Sequence, residues 1–127
     1  MPITFDINPS DRIVVMRAAG VLDDHSVNLV RAEIRKHPDL DPSMVQLFDM
    51  RSAEQITLSA DSVRALAAGS IFGSRSRRAF VTGNDFQFGM ARMFSLYSET
   101  HAQTVEVFRE VDSALLWLGG GPLPEGK

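Results

Sequence analysis

One phrase recurs along this chain and restricts the folds open to it: a short apolar run ends in a polar or acidic residue, and a capped amphipathic helix follows. It occurs from Met44 to Asp49, again from Ala79 to Gly83, and in a shorter form from Thr104 to Phe108. Strands alternating with helices of this size build a small sheet covered by helices, with the strand-to-helix loops gathered along one edge. At 127 residues the chain can bury one core and is too short for two domains. We read 1–119 as a single α/β domain and 120–127 as a flexible C-terminal tail.

Around this phrase the remaining elements fall into place. Ile3 to Ile7 alternates apolar and polar residues, Asn8-Pro9-Ser10-Asp11 is a turn, and Ile13 to Ala18 returns as the second strand of a hairpin that Gly20 ends. Asp23 or Asp24 caps a first helix with Val27, Val30 and Ile34 on one face, stopping at His37-Pro38. The third strand, Met44 to Asp49, leads through a loop to Ser59, the N-cap of a second helix carrying Val63, Leu66, Ala67 and Ser70. A fourth strand covers Arg78 to Thr82, and Asn84-Asp85 opens a third helix whose apolar stripe is Phe86, Met90, Met93, Phe94 and Tyr97. A last strand reaches Phe108, and Val111, Ala114, Leu115 and Leu118 line a final helix ended by Gly119. The expected architecture is an N-terminal hairpin followed by alternating helices and strands, a mixed sheet of four to five strands with about four helices.

Composition narrows the function classes. With no cysteine, the chain has no disulfide framework, thiolate nucleophile or cysteine zinc site. A net charge of -3 argues against nucleic acid as a partner, since backbone phosphate is bound by a basic surface. The beginning lacks the basic stretch and apolar core of a signal peptide, and no apolar run approaches the roughly 20 residues of a membrane span, so a cytoplasmic protein without stable membrane insertion is expected. His25, His37 and His101 fall on different helices without metal-ligand spacing, and no Gly-x-Ser-x-Gly elbow is present. We expect no metal, no cofactor and no catalysis.

The order of elements, the strand ending Leu47-Phe48-Asp49-Met50-Arg51, the stretch Arg78-Ala79-Phe80-Val81-Thr82-Gly83, the helix Phe88-Gly89-Met90-Ala91-Arg92-Met93 and the ending from Val107-Phe108 through Ala114, Leu115, Leu116, Trp117, Leu118 and Gly119 together resemble the STAS and SpoIIAA-like group, a relative of the CRAL-TRIO lipid-binding fold. Nearly the whole chain is covered, and the matching residues are packing signatures. The resemblance implies a non-catalytic protein-interaction or signalling module with a protein partner. Its kinship to the CRAL-TRIO fold implies the alternative, a carrier of lipids or other small apolar molecules. In anti-sigma factor antagonists of that group, a serine at the start of the helix after the third strand is phosphorylated within Asp-Ser-Ser-Gly, and Ser59 lies at about the matching place. Here the residues read Thr57-Leu58-Ser59-Ala60-Asp61-Ser62, without the preceding acid or the following glycine. Asp61 in the first turn would also repel a phosphate that the helix N-terminus would otherwise welcome. The residues themselves make Ser59 a helix cap.

The residues offer three other candidate sites. Asp49 and Arg51 after the third strand, with Asn84 and Asp85 after the fourth, could converge on a small ligand at the carboxyl edge of the sheet, or could be an ordinary ion pair and a helix cap. Met90, Met93 and Phe94 on the third helix are core residues or the flexible wall of an apolar pocket. Leu116 and Trp117 flank the final helix's stripe and are the candidate contact of a homodimer, with the tryptophan alternatively a packing anchor. Arg75, Arg77 and Arg78 enter the amino end of the fourth strand and read as a solvated basic loop.

Overall fold

The computed structural model describes residues 2–120 of the chain. Five strands, β1 (Ile3–Asn8), β2 (Ile13–Leu22), β3 (Val45–Ile56), β4 (Arg77–Val81) and β5 (Thr104–Phe108), form one sheet in the order β1-β2-β3-β4-β5. The first pair is antiparallel and the rest are parallel. Four helices, α1 (Asp24–Lys36), α2 (Ala60–Ala68), α3 (Asp85–Glu99) and α4 (Val111–Leu118), complete the domain. Because each parallel strand is added on the same side of the last, right-handed crossovers must put α1, α2 and α3 on one face. After β5 the chain turns back, and α4 covers the other face alone.

Strand alternation divides the core accordingly. Val14, Met16, Phe48, Met50, Phe80, Val105 and Val107 meet Val27, Val30, Ile34, Val63, Ala67, Ala91 and Phe94 of α1–α3. Leu47, Ala79, Val81 and Phe108 meet Ala114, Trp117 and Leu118 of α4. The helices begin where polar side chains can take their free N–H groups. Asp23 makes a capping box with Ser26, Ser59 accepts from the Ser62 amide, and Asn84 accepts from the Gln87 amide.

The single α/β fold with a mixed sheet agrees with the sequence reading, while several boundaries and faces differ. Gly20 does not end β2. It takes φ 71° within a shift of register between β2 and β3, a conformation that glycine adopts without steric cost. Ala19 to Leu22 therefore keep pairing, and β3 runs on to Ile56 where a loop after Asp49 was expected. The buried residues of α3 are Gln87, Ala91, Phe94, Ser95 and Ser98, and Phe86 is 61% exposed. Gln87 displaces the expected aromatic because its side chain closes two backbone gaps, donating to the Ala53 carbonyl at 2.9 Å and accepting from the Gly83 amide at 2.7 Å. On α4, Trp117 is 1% exposed and Leu115 points outward. Trp117 packs against Phe108 at 5.7 Å between ring centroids, so it belongs to the core rather than to a subunit contact. Of the expected tail, only Gly120 is among the described residues.

Candidate functional site

The candidate groups at the carboxyl edge of the sheet are each engaged by a protein partner. Asp49 and Arg51 form a two-pronged pair, with Arg51 Nε and Nη2 donating to the two carboxylate oxygens at 2.9 and 2.8 Å. That pairing and the Arg51 amide hold the Asp49 carboxyl below its ordinary pKa. Asn84 is spent on capping α3. Asp85 lies in an exposed pair with Arg109 at 3.1 Å. Gly83 brings the turn against Arg51, since a Cβ there would sit 3.4 Å from the Arg51 backbone. Each polar group thus has a partner of its own. Ser59 likewise serves as the cap of α2: its hydroxyl accepts from the Ser62 amide at 3.1 Å and donates to the Ser62 hydroxyl, which donates in turn to Asp24 at 2.9 Å.

A different site lies inside the fold. Between the sheet and α1–α3 is a cavity of about 90 Å³. Its walls are almost wholly apolar, with Met16, Phe48, Met50 and Phe80 from the sheet and Met90 and Phe94 from α3. Met90 and Phe94 therefore stand where a pocket was expected, while Met93 packs against the core outside the cavity wall.

The polar residues of the lining are Arg31, Gln46, Ser70 and Arg78, and Arg78 is a buried charge. Consecutive strand residues point to opposite faces, so Arg77 reaches toward α4 and Arg78 enters the cavity side. Far from a solvated loop, Arg78 is 6% exposed. Its Nε donates to Gln46 Oε1 at 2.8 Å, and its Nη1 donates to the Ser70 hydroxyl at 3.2 Å. Gln46 is its neighbour in register on β3. The guanidinium carbon lies 5.0 Å from the Phe72 ring centroid, 5.3 Å from Phe94 and 5.9 Å from Phe80. Among the described residues no carboxylate pairs with it, and neither hydrogen of Nη2 has a protein acceptor. Burial, with the charge of Arg31 adding to it, pushes the guanidinium pKa down to about 9, which leaves it protonated at neutral pH.

Magnitudes show how unusual this is. Withdrawing an ion from water costs several kcal/mol after relaxation. Hydrogen bonds from a charged donor return about 1.5–3 kcal/mol each, and a desolvated ring face about 2 kcal/mol. The protein's own groups thus hold the cation in place without supplying a counter-charge. Arg31 from α1 lines the same cavity and donates to the Gly69 carbonyl at the end of α2, where Arg35 joins it at 3.2 Å. A narrow outer cleft between α1 and α2 shares Val27, Arg31 and Leu66 with the cavity wall.

Sequence reasoning missed Arg78, Gln46 and Arg31. The available signal was phase: Arg78 lies two residues before Phe80, and Gln46 two before Phe48, on strands whose inward positions the aromatics define.

No family model matches this sequence, and no curated protein matches it closely enough to count as a relative. Among solved structures, it is similar to an uncharacterized protein of the DUF3478 family with a SpoIIAA-like fold, from Shewanella loihica PV-4. The TM-score is 0.60 at 20% identity, covering 91% of this chain and 93% of that one. The chain has a SpoIIAA-like fold.

Proposed function

We propose that this protein is a non-catalytic binding module that takes a small, largely apolar molecule into the cavity between the sheet and α1–α3. The observation that carries the reading is the cavity itself, about 90 Å³ of space within a small domain. Interiors are ordinarily packed to the density of organic crystals, and a domain of this size has little stability to spare for empty volume. The methionines around the space suit a wall that adapts to its occupant. The lining offers one hydroxyl, Ser70, with no imidazole or carboxylate beside it, which suits binding better than bond-making. A native mass spectrum of gently purified protein tests the reading, and a reproducible adduct that disappears on denaturation is expected. A bare mass, together with no thermal stabilisation by a panel of short apolar probes, would sink it.

A second reading, contact with a protein partner or a second copy, is favoured by Leu115 and Leu116. They stand side by side on the outer surface of α4, and Leu116 is 67% exposed. Adjacent exposed leucines on one helix are a common seed of subunit contacts. Sedimentation of the parent and of Leu116→Glu at several concentrations tests it: a larger species in the parent that the variant lacks supports the contact, and a parent that stays monomeric throughout excludes self-association.

A further inference from the structure

We infer that the cavity's occupant is an anion, a carboxylate with a short acyl tail, whose head pairs with Arg78. The inference rests on the binding reading above and adds the chemical class of the ligand.

Three observations support it independently. The first is the missing counter-charge: a guanidinium 6% exposed, held by neutral acceptors and ring faces, without a carboxylate partner among the described residues. The second is the available geometry. Gln46 and Ser70 engage Nε and one hydrogen of Nη1, leaving both hydrogens of Nη2 to donate elsewhere. One of these hydrogens, together with the remaining hydrogen of Nη1, makes the parallel fork that a planar, singly charged carboxylate takes, and charge-assisted bonds of this kind are short and strong. The third is the field. Arg31 adds a second positive charge to the wall, and two cations in an apolar enclosure favour an anion over a neutral molecule of the same shape.

Volume sets the tail. An engineered cavity of about 150 Å³ takes benzene, with six heavy atoms, so about 90 Å³ holds a carboxylate head and one or two carbons of its tail. The cleft between α1 and α2, which shares part of the wall, gives a slightly longer tail a way out. Acetate and propionate fit the cavity itself, and hexanoate extends its tail into the cleft.

The experiment compares sodium hexanoate with 1-hexanol, the same chain carrying a charged or a neutral head, by calorimetric titration into the full chain. Methyl NMR of the methionines reads the location in the same samples. Hexanoate is expected to bind at least about ten-fold more tightly than 1-hexanol. It should shift the methyl signals of Met16, Met50 and Met90, which line the cavity, and leave Met44 and Met93, which do not. In Arg78→Met the preference for hexanoate should vanish while 1-hexanol still binds. Equal affinity for both probes in the parent protein would overturn the anion inference and leave the apolar-cavity reading standing. Failure of both probes to move the cavity methionines would overturn the two together. The parent comparison alone decides between these outcomes if the variant does not fold.

Discussion

The two faces of the sheet receive consecutive arginines and treat them in opposite ways. Arg77 points to the α4 face, where its Nη1 donates to the Trp117 carbonyl at 2.5 Å and its guanidinium lies 5.1 Å from the Trp117 ring centroid. A helix C-terminus carries partial negative charge and unpaired carbonyls, so the cation there completes the helix. Arg78 points to the α1–α3 face, where rings, an amide and a hydroxyl surround it beside unfilled space. The α4 face answers its arginine with a carbonyl and a ring, although the buried Trp117 Nε1 has no hydrogen-bond partner there, and the other face leaves its arginine without a counter-ion among the described residues. The same residue type, one position apart, caps a helix on one side and lines a cavity on the other. Burial alone therefore does not identify a site; the partner inventory does.

The comparison can be broken most severely at Trp117. Its replacement by alanine removes the centre of the α4 layer and should cost about 3–5 kcal/mol in urea unfolding; a loss below about 1 kcal/mol would show that this face is not solidly packed. A pair of additions comes next. Ala114→Val on the filled face should destabilise by about 1–3 kcal/mol through overpacking. Val63→Ile adds a methylene beside the cavity and should stabilise by about 0.5–1 kcal/mol. Equal signs would erase the distinction between the faces. The arginines themselves sharpen it further. Arg77→Met should cost about 1 kcal/mol as the end of α4 loses its cation. Arg78→Met should fall within about 1 kcal/mol of the parent or above it, because removing a buried, unneutralised charge is often neutral or stabilising.

The smallest effect lies outside both layers. The Ser43 amide, the Arg12 guanidinium and the Ser43 hydroxyl lower the Asp41 carboxyl to about 2 in the folded protein, from an ordinary 3.8. A lowered folded-state pKa means that its contribution is present above about pH 4 and fades as pH falls toward 2. Asp41→Asn should lower stability by a constant amount above about pH 5, with the gap to the parent closing as pH falls toward 2.

Much of the fold was legible because periodicity carries it. Val27, Val30 and Ile34 announced the buried face of α1, and Asp23, Ser59 and Asn84 announced helix starts that the structure uses. What was not legible depended on phase or on partners. Gly20 reads identically as a strand end or a bulge, and only the continued pairing with β3 decides between them. In a helix as short as α4, both Leu115 and Trp117 fit the spacing of an apolar stripe, and the Phe108 ring across the interface selects the tryptophan. Arg78 was hidden among Arg75 and Arg77 in a run that looks like a loop. Its inward direction follows from its place two residues before Phe80 on the same strand, a phase that the basic run obscures. Asp49, Arg51, Asn84 and Asp85 could be read as a ligand site or as an ion pair and a helix cap, and each is met by a partner nearby in sequence or space.

The polar bridges between α1 and α2 bear on time as well as on shape. Ser62 to Asp24 spans one end of that seam, and Arg31 and Arg35 to the Gly69 carbonyl span the other, all in exposed positions. Such bonds exchange with water at a net cost of only about 0.5–1.5 kcal/mol each. The seam can therefore part as a local hinge, within microseconds to milliseconds, while the sheet and α4 stay folded. Residence of a guest would then be governed by the breathing of two helices rather than by the global unfolding rate, which makes this a site suited to rapid exchange.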